Sequence, residues 1–267
     1  MRIIFFWLCC FSGALFANIA TIEKFSQARL PKLDSNTLVV FDVDDTLTVC
    51  EDALLQVSNR EFFKKHAHID QSRKGEIFSI LLGQATARVL DPKSVEYIRF
   101  LQKSGAKVIA CTAAPFGKIG SIENFGQQRL EKLREFGFDF SKTAPVAGEV
   151  SFSSDGGQKM LCNQGIVFTS LEEKGPALKR FFSAIGWTPK RIVFFDDKRS
   201  FLESVEKMAE REKIEFWGYE YTYASQLQSE FDPQVALFQC QKLVEEGKWF
   251  SDAEAKQALF GVECYAR

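Results

Sequence analysis

The sequence predicts an α/β fold in which helices flank an open, mainly parallel sheet. Three observations carry that expectation. The runs Thr37-Leu38-Val39-Val40-Phe41, Lys107-Val108-Ile109-Ala110-Cys111 and Arg191-Ile192-Val193-Phe194-Phe195 are apolar without alternation, the pattern of strands buried on both faces. Helical spacing with start and stop signals lies between them. Each run also ends in polar residues, Asp42, Thr112 and Asp196, and open α/β sheets bind ligands beyond the carboxyl ends of their strands. A chain of 267 residues with a hydrophobic fraction of 46% can bury the core of one such domain with insertions.

The elements follow in order. Met1-Arg2, an apolar run from Ile3 to Phe11, and Ala17 before a polar residue read as a secretory signal over residues 1–17, cleaved after Ala17. An uncleaved anchor is the competing reading. After the strand at 37–41, residues 48–90 form an insert with helical runs from Leu54 to His66 and from Ile77 to Val89. A helix then starts at Asp91-Pro92, keeps Val95, Ile98 and Leu101 on one face and stops at Gly105. The strand at 107–111 is followed by a helix ending near Phe136. A second insert holds Val150–Gly157 and Gly165–Phe168, read as a hairpin turning at Asp155-Gly156.

Beyond this insert, Lys174-Gly175-Pro176 opens a helix through Leu178, Phe181 and Phe182. The strand at 191–195 leads to a helix bearing Phe201, Leu202 and Val205. Lys213–Gly218 alternates and reads as a partly exposed strand. Residues 224–267 read as a helical extension, with Ala236, Leu237, Cys240, Leu243 and Val244 on one face and a second start at Ser251-Asp252-Ala253-Glu254.

The chemistry gathers at strand ends. In Asp42-Val43-Asp44-Asp45-Thr46 two carboxylates stand two residues apart and share one side of an extended chain. Such a pair can hold a hard cation and divide nucleophilic and acid/base work. Thr112 closes the second strand, Lys174 opens a helix, and Asp196-Asp197 closes the third strand. Taken alone, each has an ordinary structural explanation as a turn former, helix cap or surface lysine.

In this order, the four segments resemble the motifs of the haloacid dehalogenase superfamily of phosphohydrolases. The similarity runs from Thr37 to near Val205, and the first and fourth motifs carry most of it. It implies a Rossmann-like sheet, a small helical cap at 48–90 and a magnesium ion held by Asp42, the Asp44 carbonyl and Asp197, with Asp196 as the alternate. It also implies that Asp42 is the nucleophile, that Asp44 is the acid and base, and that Thr112 and Lys174 contact the phosphoryl group. Asp44 argues against dehalogenation, since halide leaves without a proton.

The expected protein is therefore an exported, magnesium-dependent phosphatase for small phosphate monoesters, periplasmic or secreted. The signal, acid motifs and terminal helices together resemble an exported bacterial branch of the superfamily. The alternative is a non-catalytic binding or host-interaction protein on the same fold.

A formal net charge of -1 offers no basic field for nucleic acid or anionic lipid. No membrane span is expected after signal cleavage, and the sequence leaves the oligomeric state open. With Cys9 and Cys10 in the signal, Cys50, Cys111, Cys162, Cys240 and Cys264 remain. Their wide spacing fits neither a zinc site nor a disulfide scaffold, and Cys111 reads as a small buried hydrophobe. His66 and His68 read as surface residues of the insert rather than metal ligands.

Overall fold

The computed structural model describes residues 19–261. The expected signal at 1–17, with Cys9 and Cys10, and also Cys264, lie outside the described residues. In chain order the strands are β1 (Ile19–Ile22), β2 (Thr37–Phe41), β3 (Thr48–Cys50), β4 (Ala87–Val89), β5 (Lys107–Thr112), β6 (Glu149–Ser153), β7 (Lys159–Asn163), β8 (Ile166–Phe168), β9 (Arg191–Asp196) and β10 (Glu215–Tyr221). The helices are α1 (Arg60–His66), α2 (Lys74–Gln84), α3 (Lys93–Lys103), α4 (Phe125–Glu135), α5 (Lys174–Ile185), α6 (Arg199–Glu212), α7 (Pro233–Glu246) and α8 (Asp252–Phe260).

An eight-stranded sheet runs in the order β1-β10-β9-β2-β5-β8-β7-β6. Neighbours are parallel from β1 through β8 and antiparallel beyond it. The architecture is thus α/β with a mostly parallel sheet. Alternate residues of each central strand point to opposite faces, and each face is covered. Val39, Phe41, Val108, Ala110, Val193 and Phe195 meet Ile98 and Leu101 of α3 and Leu130 and Leu133 of α4. Leu38, Val40, Ile109, Cys111, Ile192 and Phe194 meet Leu178 and Phe181 of α5 and Leu202 and Val205 of α6. Double burial is why these strands read as unbroken apolar runs.

Several expectations change. The helix expected at 54–66 begins as two 3-10 turns, Ala53–Leu55 and Val57–Asn59, before α1. The helix expected at 77–89 spans Lys74–Gln84 instead, because Ala85 turns extended and Ala87–Val89 pairs antiparallel with β3. The Glu51 N–H donates to the Thr86 carbonyl at 2.9 Å and Leu90 to Leu47 at 2.9 Å, closing this small ladder.

The hairpin does turn at Asp155-Gly156, but β6 pairs with β7 rather than with Gly165–Phe168, which is β8 beside β5. A second tight turn makes this possible: Gln164 and Gly165 have φ of 51° and 82°, the left-handed pair that suits a two-residue hairpin. The second insert therefore extends the sheet. Lys213 is the left-handed end of α6, and the strand runs from Glu215 to Tyr221. The strand is partly exposed as expected, with Glu215 exposed and Trp217 and Glu220 half-buried, although it is interior in strand order because β1 pairs along its outer edge.

The terminal helices do not lie on the main sheet. Val235, Ala236, Cys240 and Leu243 are buried on α7, whereas the expected face residue Leu237 is exposed. Ala236, Cys240, Leu243 and Trp249 join Leu54, Ala67 and Ile77 of the insert in a separate core. A buried polar clasp closes the seam. The Trp249 indole N–H donates to Asp52 Oδ2 at 2.7 Å, the Asp252 N–H to Asp52 Oδ1 at 3.0 Å, and the Ala53 N–H to Asp252 Oδ2 at 2.8 Å. Ser251 caps α8 through a reciprocal box with Glu254. Among the described residues no helix is long and apolar enough to cross a membrane. Among the described residues Cys50, Cys111, Cys162 and Cys240 form no disulfide with one another, and Cys111 is buried as expected.

Candidate active site

Register brings the expected acids together. Phe41 lies opposite Phe195 in the parallel β2–β9 pair, and the Asp42 N–H donates to the Phe195 carbonyl at 2.8 Å. Asp42 and Asp196 therefore emerge side by side at the carboxyl edge. Asp42, Asp196 and Asp197 each offer a carboxylate oxygen, all within 4.8 Å of one another. The Lys174 ammonium, fully buried at the start of α5, lies 2.5 Å from Asp42 Oδ1 and 2.6 Å from Asp196 Oδ2. Gly175 lets α5 sit this close to α6, since a Cβ there would lie 2.1 Å from the Ser204 carbonyl oxygen.

The remaining contacts divide the roles. Thr46 donates its hydroxyl to Asp42 Oδ2 at 3.1 Å, orienting that carboxylate. Both Asp196 oxygens are engaged, Oδ2 by Lys174 and Oδ1 by the Lys198 N–H at 2.9 Å. Asp197, less buried, accepts no hydrogen bond among the described residues, which leaves it the freer ligand of the two. Thr112, buried at the end of β5, accepts the Ala114 N–H on Oγ1 at 3.1 Å and keeps its own proton to donate. The Asp44 carboxylate lies outside the three-carboxylate cluster. It is about half exposed and pairs with Arg129 of α4.

Electrostatics follows from this crowding. Burial pushes the Asp196 carboxyl up to about 7, opposed by Lys174 and reinforced by Asp42. Burial with the charges of Asp42 and Asp196 pushes Asp197 up to about 8. Lys174 is desolvated, which disfavours its charge, but Asp196 and Asp42 prevail and raise it above the usual lysine value. A second ion pair anchors the loop after β2: Asp45, buried with a left-handed φ of 65°, lies 2.5 Å from Arg60 of α1.

A family model described as a protein of unknown function, DUF2608, matches residues 18–256. The chain belongs to that family. It is also similar to the uncharacterized protein RP296 of Rickettsia prowazekii (strain Madrid E), at 23% identity over 240 residues, covering 87% of this chain and 86% of the relative. No solved structure matches the chain. Every residue of the site described above falls inside the region that defines the family.

The donor set suits a hard divalent cation. Three carboxylates converge where like charges already oppose full ionisation, and oxygen ligands are what magnesium takes, usually with few carboxylates and several waters. The histidines are not part of it: His66 packs in a tilted arrangement on Phe62, with ring centroids 4.2 Å apart, and His68 is exposed. Arg129 and Arg60 were not legible from sequence. Arg129 sits among Gln127, Gln128, Glu131 and Lys132, which reads as a solvated helix face, and only the fold brings it to Asp44. A cavity of about 340 Å³ lies elsewhere, between the β6–β7 turn and α5, and contains none of these acids.

Proposed function

We propose that this protein is an exported, magnesium-dependent phosphohydrolase of the haloacid dehalogenase type, acting on small phosphate monoesters. The convergence of Asp42, Asp196 and Asp197 around the buried Lys174 ammonium carries the reading. A lysine is almost never fully buried unless it is paired, as Lys174 is with two acids, and perturbed acids at the carboxyl edge of a parallel sheet mark candidate functional sites. A bound magnesium ion would lie against Asp42 and Asp197, with Asp196 and the Asp44 carbonyl as further donors, and would neutralise phosphoryl oxygens.

The chain's own groups account for the remaining chemistry. Asp42, oriented by Thr46, attacks phosphorus as the bond to the leaving oxygen breaks, forming an aspartyl phosphate. Asp44 gives its proton to the leaving oxygen. It then takes a proton from the water that attacks phosphorus and releases inorganic phosphate, restoring Asp42. Thr112 and Lys174 hold phosphoryl oxygens, by a hydroxyl hydrogen bond and by charge. In this reading the insert at 48–90 is a small cap, joined by α7 through their shared core and by the start of α8 through the hydrogen bonds of Asp252 with Asp52 and Ala53. Export rests on the residues before Asn18 and is checked by the N-terminus of the native protein, which would begin at Asn18.

The deciding experiment is hydrolysis of a generic aryl phosphate and a panel of monoesters by the mature chain. Turnover should require magnesium and vanish in Asp42→Asn while the circular dichroism spectrum is unchanged. No turnover across the panel would instead favour a non-catalytic binding protein.

A further inference from the structure

We infer that Arg129 is a phosphate-binding residue that gives up Asp44 when the substrate's phosphoryl group arrives. This rests on the phosphohydrolase reading and adds a residue that the four motifs do not include. Charge balance is the first ground. Five carboxylates, Asp42, Asp44, Asp45, Asp196 and Asp197, face three cations paired with them, Lys174, Arg60 and Arg129. Each of these three cations is already paired, so a phosphate dianion must draw one of them from its carboxylate. Lys174 is held by two buried acids and Arg60 by buried Asp45, whereas the partner of Arg129 is half exposed.

The second ground is the state of the guanidinium. The Arg129 side chain is 14% exposed. Among the described residues its Nε is buried without a hydrogen-bond partner, and its Cζ lies over the Phe125 ring, 5.6 Å from the centroid. A desolvated guanidinium with an unused N–H is costly unless a ligand completes it. Its planar fork matches two phosphate oxygens at once.

The exchange also solves a problem of reach. Asp44 must approach the leaving oxygen to transfer its proton, yet here it is tied to α4 through Arg129. A phosphoryl group that draws Arg129 to itself frees Asp44 for that step, so binding and acid positioning become one event.

Calorimetric binding of inorganic phosphate to the mature chain in saturating magnesium tests this. Arg129→Met should weaken phosphate binding roughly 10- to 100-fold with magnesium affinity unchanged, and Arg129→Lys should fall between. Asp44→Asn, which frees the guanidinium, should tighten binding, and the gain should disappear in the Asp44→Asn/Arg129→Met double variant. A folded Arg129→Met that binds phosphate like wild type, or a gain that persists in the double variant, overturns the inference. If Arg129→Met fails to fold, Arg129→Lys against Asp44→Asn decides it: equal affinities refute the exchange. A wild-type chain that hydrolyses monoesters while Arg129→Met is unaffected removes this inference alone. A wild-type chain that neither binds phosphate nor hydrolyses any monoester removes the proposed function and this inference with it.

Discussion

Lys174→Met removes a charge from the centre of the acid cluster while keeping a side chain of similar length. The ammonium lies 2.5 Å from Asp42 and 2.6 Å from Asp196, and at an effective dielectric constant of about 20 each contact amounts to about 6 kcal/mol. Desolvating the ammonium and carboxylates opposes most of that, by several kcal/mol per ion. What the variant exposes is the leftover charge: removing one partner from a buried pair costs about 3–5 kcal/mol. For a chain of this size that corresponds to a fall in Tm of roughly 6–20 °C.

The loss should depend on pH. Lys174 itself stays charged through neutrality because its acid partners raise it. In the variant, Asp196 loses the neighbour that lowers it, so it binds its proton more tightly and is neutral over more of the range. Thermal unfolding in chelator should therefore show a much smaller deficit at about pH 5 than at about pH 8, and added magnesium should recover part of the deficit at the higher pH. A deficit of the same size at both pH values, or none at about pH 8, would refute the view that Lys174 neutralises the cluster.

Three further outcomes follow from the structure. Asp196 and Asp197 rise from 3.8 to about 7 and about 8. The metal-free folded protein therefore holds protons that the unfolded chain has released, and its stability should fall as pH rises from about 4 to about 8. Magnesium requires ionised carboxylates, so its stabilisation should be larger at about pH 8 than at about pH 5; a thermal shift independent of pH would contradict this. Trp249→Ala empties a buried site in the insert core and leaves Asp52 without the indole donor, for a loss of about 3–5 kcal/mol. Hydrogen exchange should accelerate in α1, α2, α7 and α8 and stay slow in β2, β5 and β9, whereas uniform acceleration would show that insert and sheet do not open separately.

The central strands and the acids at their ends were legible because their signals are local. Both faces of β2, β5 and β9 are buried, so each writes an unbroken apolar run, and the residue after the run must occupy the sheet edge. Elements stabilised by distant partners were not legible. β1 is four residues long and is a strand because β10 pairs with it. Ala87–Val89 looks helical by spacing and is extended because β3 supplies its hydrogen bonds. Arg129 meets an acid 85 positions earlier, and Trp249 one 197 positions earlier; neither leaves a periodic trace.

The sequence by itself determined the α/β class, the unbroken apolar strands buried on both faces, and the order of Asp42, Thr112, Lys174 and the Asp196-Asp197 pair. Tertiary structure alone decided that Lys174 is buried between two carboxylates, that Asp44 is tied to Arg129, and that the terminal helices complete the insert rather than the main sheet. The physical reason is range. Strand burial and helix capping act over a few residues, whereas charge pairing and shared cores depend on which faces the chain folds together.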